Sequence, residues 1–196
     1  MTPLERIRVE TRPLHDSLES ESCLLSPAPT VDDYRRYLEK LLGFHAPLER
    51  RLARLADEYG LGDVFARRRK TPLLVKDLGR LGLMPARPDS VPWSPWLPEP
   101  TCLGGLLGCA YVLEGATLGG KVLLRRLAPR LPAVLGAAGY LDCYGEQVGE
   151  RWKQMLALLD TRLDTPAVEV AAVRAARDTF ATLGRWLGES AEANVA

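Results

Sequence analysis

His15 and His45 are the only histidines in the 196 residues, and the neighbours of the first are the more suited to chemistry. On a helical wheel at about 100° per residue, with His15 at zero, Arg8, Glu19 and Arg12 fall at about 20°, 40° and 60°. Leu4, Ile7, Thr11, Leu14 and Leu18 take the adjoining arc. His15 therefore stands between an apolar stripe and a basic one. An imidazole there can ligate a metal while two guanidinium groups, one and two turns earlier, face an anion. A carboxylate such as Glu19 can hold the other ring nitrogen and fix the tautomer. A ligand with a central metal and acidic edges suits this set. Haem is such a ligand, since its iron takes an axial base and its propionates take cations. A solvated amphipathic helix with a boundary histidine is the plainer reading of the same residues.

A second pattern is a run of glycines. The segment Cys102–Gly120 reads as helix yet holds six of them, and each interior glycine costs roughly 0.5–1 kcal/mol against alanine. With Gly115 at zero, Gly104, Gly108 and Gly119 lie within about 40° of it, and Tyr111 lies at about −40°. Something must approach this backbone closely to offset the cost. It is either another helix, in small-residue packing, or a flat ligand. A histidine helix and a bare helix together favour the ligand, because they can sandwich a planar macrocycle.

The elements that must carry these residues are nearly all helical. Thr2 caps a first helix with Pro3 at its first position and Glu5 completing a capping box, and the helix runs to about residue 20. Thr30, followed by Asp32 and Asp33, starts a second helix. Its apolar residues keep helical spacing from Tyr34 to Leu55, Pro47 should kink it, and Gly60 and Gly62 should end it. Thr71-Pro72 opens a shorter helix ending near Gly79–Gly82. Six prolines between Pro85 and Pro100 forbid helix there, leaving a loop pinned by Trp93 and Trp96. Helix resumes from about 102 to 130, broken or bent near Gly119-Gly120. Pro132 starts a short piece, 142–159 forms another helix, and Thr165-Pro166, with Glu169 nearby, caps the last, which ends near Gly188. No alternating stretch demands a strand. The expected fold is all-α, one domain over 1–190 with a frayed tail, 191–196.

Composition narrows the function. Apolar residues make up 46% and charged residues 26%, with a net charge of +1, so a real core forms and no global field steers the chain to nucleic acid or membrane. No stretch approaches the roughly 20 apolar residues of a membrane span, and the mixed charges of the N-terminus do not resemble a signal peptide. Cys23, Cys102, Cys109 and Cys143 form no CxxC pair and read as reduced, buried thiols of a cytoplasmic protein. His45 reads as a core or polar residue, and Arg67–Lys70 as a solvated helix end rather than a docking patch. A di-iron site would want Glu-x-x-His pairs, which are absent, and no cysteine sits in an activating context.

The motifs are more specific taken together. Tyr111-Val-Leu-Glu-Gly-Ala-Thr-Leu-Gly-Gly120 resembles the distal-helix motif of haem oxygenases, closest to the bacterial branch associated with bacteriophytochromes. Thr11-Arg-Pro-Leu-His-Asp-Ser-Leu-Glu19 resembles the proximal helix of that family, with His15 at the axial-ligand position. Tyr34–Glu49 is similar to the second helix, and Tyr144-Gly145 with Gly149–Lys153 to the C-terminal haem-facing helix. The resemblance runs from the first helix nearly to the end, in the family's order.

It implies a multi-helix bundle with haem sandwiched between a proximal and a distal helix. It also implies oxidative opening of haem to biliverdin, with release of carbon monoxide and iron. Haem is then substrate and prosthetic group together, oxygen is the oxidant, and an external reductant such as ferredoxin or a reductase supplies electrons. A bacteriophytochrome is the implied recipient of biliverdin. By the same resemblance His15 ligates the iron, and Gly115 and Gly119 let the distal backbone approach the haem. Arg8, Arg12 and Lys153 face the propionates, with Lys121 a further possibility. Glu19, Tyr111, Gly120 and Tyr144 line the cofactor. Many animal members carry aspartate, and bacterial ones serine, where this chain has Ala116; Thr117, Tyr111 or Tyr144 would then hold the distal water. A haem carrier without turnover, argued by Ala116, and a non-haem helical interaction module remain alternatives.

Overall fold

The computed structural model describes residues 1–20, 24, 26–83 and 86–188, without the side chains of residues 19 and 20. Cys23, the Glu19 side chain and the tail from 189 onward lie outside the described residues. Among the described residues seven α-helices follow one another: α1 (Pro3–Ser20), α2 (Val31–Glu58), α3 (Gly62–Ala66), α4 (Thr71–Arg80), α5 (Leu103–Leu127), α6 (Val148–Arg162) and α7 (Pro166–Gly188). No strand forms among the described residues.

The helix starts follow their caps. Thr2 Oγ1 accepts the Glu5 N–H at 3.2 Å while the Glu5 carboxylate accepts the Thr2 N–H at 2.8 Å, so two orphan donors are satisfied reciprocally. Thr30 and Asp33 form the same box on α2. Thr165 caps α7 through the Val168 N–H, but Glu169 takes no part and pairs with Arg6 of α1 instead. Pro85 lies outside the described residues, and the described part of the proline segment, 86–100, is non-helical. It is pinned as expected: the Ser94 N–H donates to the Gly43 carbonyl at 3.0 Å, and Arg185 and Arg50 stack on Trp96 and Trp93. At Gly43 a side chain would strike the Pro92 carbonyl, so only glycine lets this loop lie on α2.

Three elements differ from expectation. The Gly60–Gly62 stop is followed by the extra short helix α3. Helix α5 runs unbroken through Gly119 and Gly120. Helix α6 begins at Val148, not near 142, because Tyr144 and Gly145 both take positive φ, 70° and 52°. Two consecutive left-handed residues cannot propagate a helix. By length and composition α5 would also suffice to cross a membrane, which corrects the expectation that no stretch does. Half of its most apolar window is buried inside the protein, against α7, α6 and α2.

Helix α7 is the spine. Along it α1 ascends in the same direction: Arg6 pairs with Glu169, Glu10 with Arg177, His15 meets Phe180, and Leu18 lies beside Gly184. Helix α5 ascends it too, Gly104 facing 168–172, Gly108 facing 172–176, and Cys109 accepting from Thr179. Yet α1 and α5 hardly touch each other.

Candidate active site

The glycine stripe divides into two halves. A Cβ on Gly104 would strike the Val168 carbonyl and sit 2.7 Å from Ala171 Cβ; one on Gly108 would strike the Ala172 carbonyl and sit 2.9 Å from Ala175 Cβ. These two glycines are there to let α5 lie on the alanine face of α7, so the packing explanation holds for them. Gly120 serves packing as well, since a Cβ would stand 3.0 Å from the Leu141 carbonyl oxygen. Gly115 and Gly119 are different. A Cβ at Gly119 meets nothing within 4 Å, and at Gly115 it meets only the Trp152 indole edge, at 3.6 Å. Their bareness is not used by any protein contact.

These two glycines and His15 share a reference point. Arg8 of α1 stands near enough to the Tyr111 hydroxyl of α5 for its charge to act on that hydroxyl, which marks where the two helices, otherwise apart, approach one another. His15 lies seven residues beyond Arg8, and Gly119 eight beyond Tyr111. At 1.5 Å per residue both climb about 10–12 Å in the same direction from that junction. The histidine and the open glycine are therefore brought to matching heights on two helices carried by the same spine. Burial pushes the Tyr111 hydroxyl pKa up, and Arg8 only partly offsets this. Tyr111 stays a neutral hydrogen-bonding group beside a fixed cation.

His15 is half exposed, its Nδ1 3.6 Å from Asp16 Oδ1. Its ring meets Phe180 edge-on, centroids 5.8 Å apart. Asp16 is thus a carboxylate near Nδ1, while the Glu19 side chain lies outside the described residues. Trp152 of α6 tilts against Tyr111 at 5.4 Å between centroids. Phe180 was not singled out from sequence, and Trp152 only as a member of the Gly149–Lys153 motif. The only signal for them is an aromatic on the inner face of each C-terminal helix, which also describes ordinary core residues.

The other candidates are placed as follows. Arg12 is exposed and reaches Asp16, and Lys153 is exposed. Lys121 Nζ donates to the Gly145 carbonyl at 2.6 Å. Ala116 is half-buried. The Thr117 hydroxyl donates to the Glu114 carbonyl at 2.7 Å and is buried. The Tyr144 hydroxyl donates to the Glu114 carboxylate at 3.0 Å and accepts from Lys70 at 2.8 Å. Thr117 and Tyr144 are thus bound into the protein interior rather than gathered at Gly115–Gly119.

Two plainer expectations also meet the structure. His45 is buried in the core, as read, with Nε2 3.2 Å from the Tyr140 hydroxyl and Nδ1 3.4 Å from Glu49. Arg67–Lys70 is not a solvated end: Lys70 and Arg68 are drawn inward by the buried Glu114 carboxylate. Cys109 and Cys143 are buried free thiols and Cys102 is partly exposed. Burial pushes the Cys109 thiol up to about 11.

Known proteins resemble this arrangement. A family model described as Heme oxygenase matches residues 99–189, which include α5, α6 and α7. A Heme oxygenase of Xanthomonas campestris pv. campestris (strain 8004) is 31% identical over 147 residues, covering 75% of this chain and 81% of the relative. The NO- and CO-bound heme oxygenase structure from Neisseria meningitidis superposes with a TM-score of 0.71 at 21% identity, covering 98% of this chain and 96% of that one. It shares the fold. With the motif order, the parallel α1 and α5 on a common spine and this relative over most of its length, the chain belongs to the haem oxygenase family.

Proposed function

We propose that this chain opens haem to biliverdin between α1 and α5, with carbon monoxide and iron released. The observation that carries the reading is Gly119. It is a helical glycine that no protein contact requires, on a helix that runs parallel to that of His15 along the same spine, α7. Haem, the substrate, would supply the redox-active iron and the ring that is oxidised.

The donor set fits that substrate. His15 presents a half-exposed imidazole with the Asp16 carboxylate 3.6 Å from Nδ1, a neighbour of the kind that orients an axial imidazole. Phe180 fixes the ring from behind. Arg8 and Tyr111 offer adjacent donors from opposite helices, an arrangement suited to a carboxylate. Exposed Arg12 and Lys153 would screen a second one, and Trp152 walls the pocket at Gly115. On the opposite side Gly115, Ala116 and Gly119 offer backbone and small side chains. No acidic side chain there would favour early O–O cleavage, and with Thr117 and Tyr144 bound elsewhere, protons reach this wall through ordered water.

Residues 1–190 act as one domain on this reading. Electrons come from an external donor such as a ferredoxin or a reductase, and a bacteriophytochrome is a candidate recipient of biliverdin. A cytoplasmic setting suits the buried thiols. The test is an absorbance time course with one equivalent of haemin, before and after a reductant is added in air. A histidine-type Soret band decaying into biliverdin absorption is expected. A Soret band that persists would leave a haem carrier, with Ala116 as the missing hydroxyl. No band would overturn the haem reading.

A further inference from the structure

Glu114 precedes the first open glycine and is a buried carboxylate. Arg68 donates to one of its oxygens at 2.6 Å, while Lys70 and the Tyr144 hydroxyl donate to the other. Lys70 is buried too and spends its remaining donors on the Arg68 carbonyl and on Tyr144. A wheel at about 100° per residue puts Glu114 about 100° round from Gly115, on the flank of the open face. The cluster therefore does not reach into the gap. It acts on what borders it.

Three features tie it to α6, the helix that carries Trp152 over Gly115. Tyr144 is the one non-glycine residue with positive φ among the described residues. A bulky residue keeps such a conformation only where its surroundings enforce it. Here both hydroxyl bonds do so, with Lys70 and Arg151 stacked on the ring at 4.6 and 5.4 Å. Arg68 also reaches the Arg151 carbonyl in the first turns of α6. Two turns along α5, Lys121 holds the next residue, Gly145, by its carbonyl. The side chains bracketing Gly115–Gly119 thus both grip the turn that launches α6.

We propose that Glu114, held by Arg68, Lys70 and Tyr144, is a positioning residue that sets how far α6 and Trp152 stand from Gly115, and so which edge of the haem is opened. The inference rests on the reading of Gly115–Gly119 as the haem-facing wall. Buried paired charges suit a register-setting role, because a shifted α6 would draw the Tyr144 hydroxyl and the Arg151 carbonyl away from the Glu114, Lys70 and Arg68 groups that hold them. Selectivity among similar ring positions is sensitive to such a shift, since a displacement of about 1 Å changes reaction rates severely.

The test uses the full chain loaded with haemin, as wild type, Glu114→Gln and Tyr144→Phe. Three quantities are read: the biliverdin isomer ratio by chromatography, the pH midpoint of the ferric visible spectrum, and the melting temperature. Both variants should take up one haemin with the wild-type Soret band, since His15 on α1 is untouched. Their minor isomers should rise several-fold and the ferric midpoint should move, more in Glu114→Gln than in Tyr144→Phe. Unchanged isomer ratio and midpoint in both, with only a lower melting temperature, would overturn the proposal and leave the cluster a stabilising element. If Glu114→Gln does not fold, Tyr144→Phe, which keeps the ring under both cations, decides on the same readouts. A wild-type chain that takes up no haemin would instead sink the haem-facing reading itself.

Discussion

A half-exposed histidine edge-on to a phenylalanine is unremarkable until its neighbours are counted. Asp16 stands near Nδ1, Phe180 lies against the ring, and Arg8, two turns back, is near a tyrosine of the opposite helix. These contacts orient the half-exposed His15 ring. His15→Ala should therefore abolish the native Soret band while leaving the helical circular dichroism intact, and added imidazole should restore the band. An unchanged spectrum would remove His15 from the site. The sequence revealed this histidine through the residues on its own helix face. It did not reveal that Asp16 stands near Nδ1, because neighbouring residues on a helix do not face each other on the wheel. Nor could it distinguish Arg68 and Lys70 from solvated cations. What buries them is a single carboxylate on α5, more than forty residues away.

At the scale of elements, one stripe of glycines turns out to do two jobs. Spacing alone puts Gly104, Gly108, Gly115 and Gly119 on one face, and nothing in that spacing marks where the partner helix ends. The alanines of α7 do, because they run out beyond Gly108. Substitution should separate the halves with opposite signs. At Gly108 a methyl would press on Ala175 and Ala176, both at 2.9 Å, so Gly108→Ala should cost about 1–3 kcal/mol of stability despite its better helix propensity. At Gly119 the space is open, so Gly119→Ala should stabilise the haem-free protein by about 0.5–1 kcal/mol. Gly119→Leu should remain folded yet lose haemin affinity or turnover. Denaturant unfolding and haemin titration of the three variants check this, and a destabilised Gly119→Ala would return that glycine to packing. Helix starts were legible because a cap is a local device: Thr2, Thr30 and Thr165 each act within four residues. The start of α6 was not, because the left-handed Tyr144 is held by Lys70 and Glu114, which belong to other parts of the chain.

The molecule as a whole carries almost no net charge, yet its interior holds a connected set of charges, and the two facts are independent. Glu49 sits at the centre of one half of that set. It joins α2 to the start of α4 by accepting the Lys70 N–H at 2.6 Å and the Thr71 N–H at 3.3 Å, with His45 Nδ1 3.4 Å away. Burial pushes its carboxyl pKa up, but His45, the Lys70 N–H and the Thr71 side chain outweigh burial, and the net direction is below the ordinary glutamate value of 4.5. A carboxyl lowered by folding stabilises the fold above its unfolded pKa, and that contribution is lost as pH falls through the folded one. Wild type should thus lose melting temperature as pH drops below about 4.5. Glu49→Gln keeps an acceptor but not the charge, and should cost about 1–3 kcal/mol at neutral pH. Its acid limb should be shallower, so that the two curves approach one another in acid. Other carboxyls do not obscure this comparison. Asp77, raised by burial, contributes with the opposite slope, and Asp33, lowered to about 2 by Thr30 and Arg36, with the same slope. Both are present in both proteins and cancel in the difference. Curves that stay parallel from neutral pH down to the acid limb would show that Glu49 titrates alike in folded and unfolded chains, and that the α2–α4 tie rests on shape rather than charge.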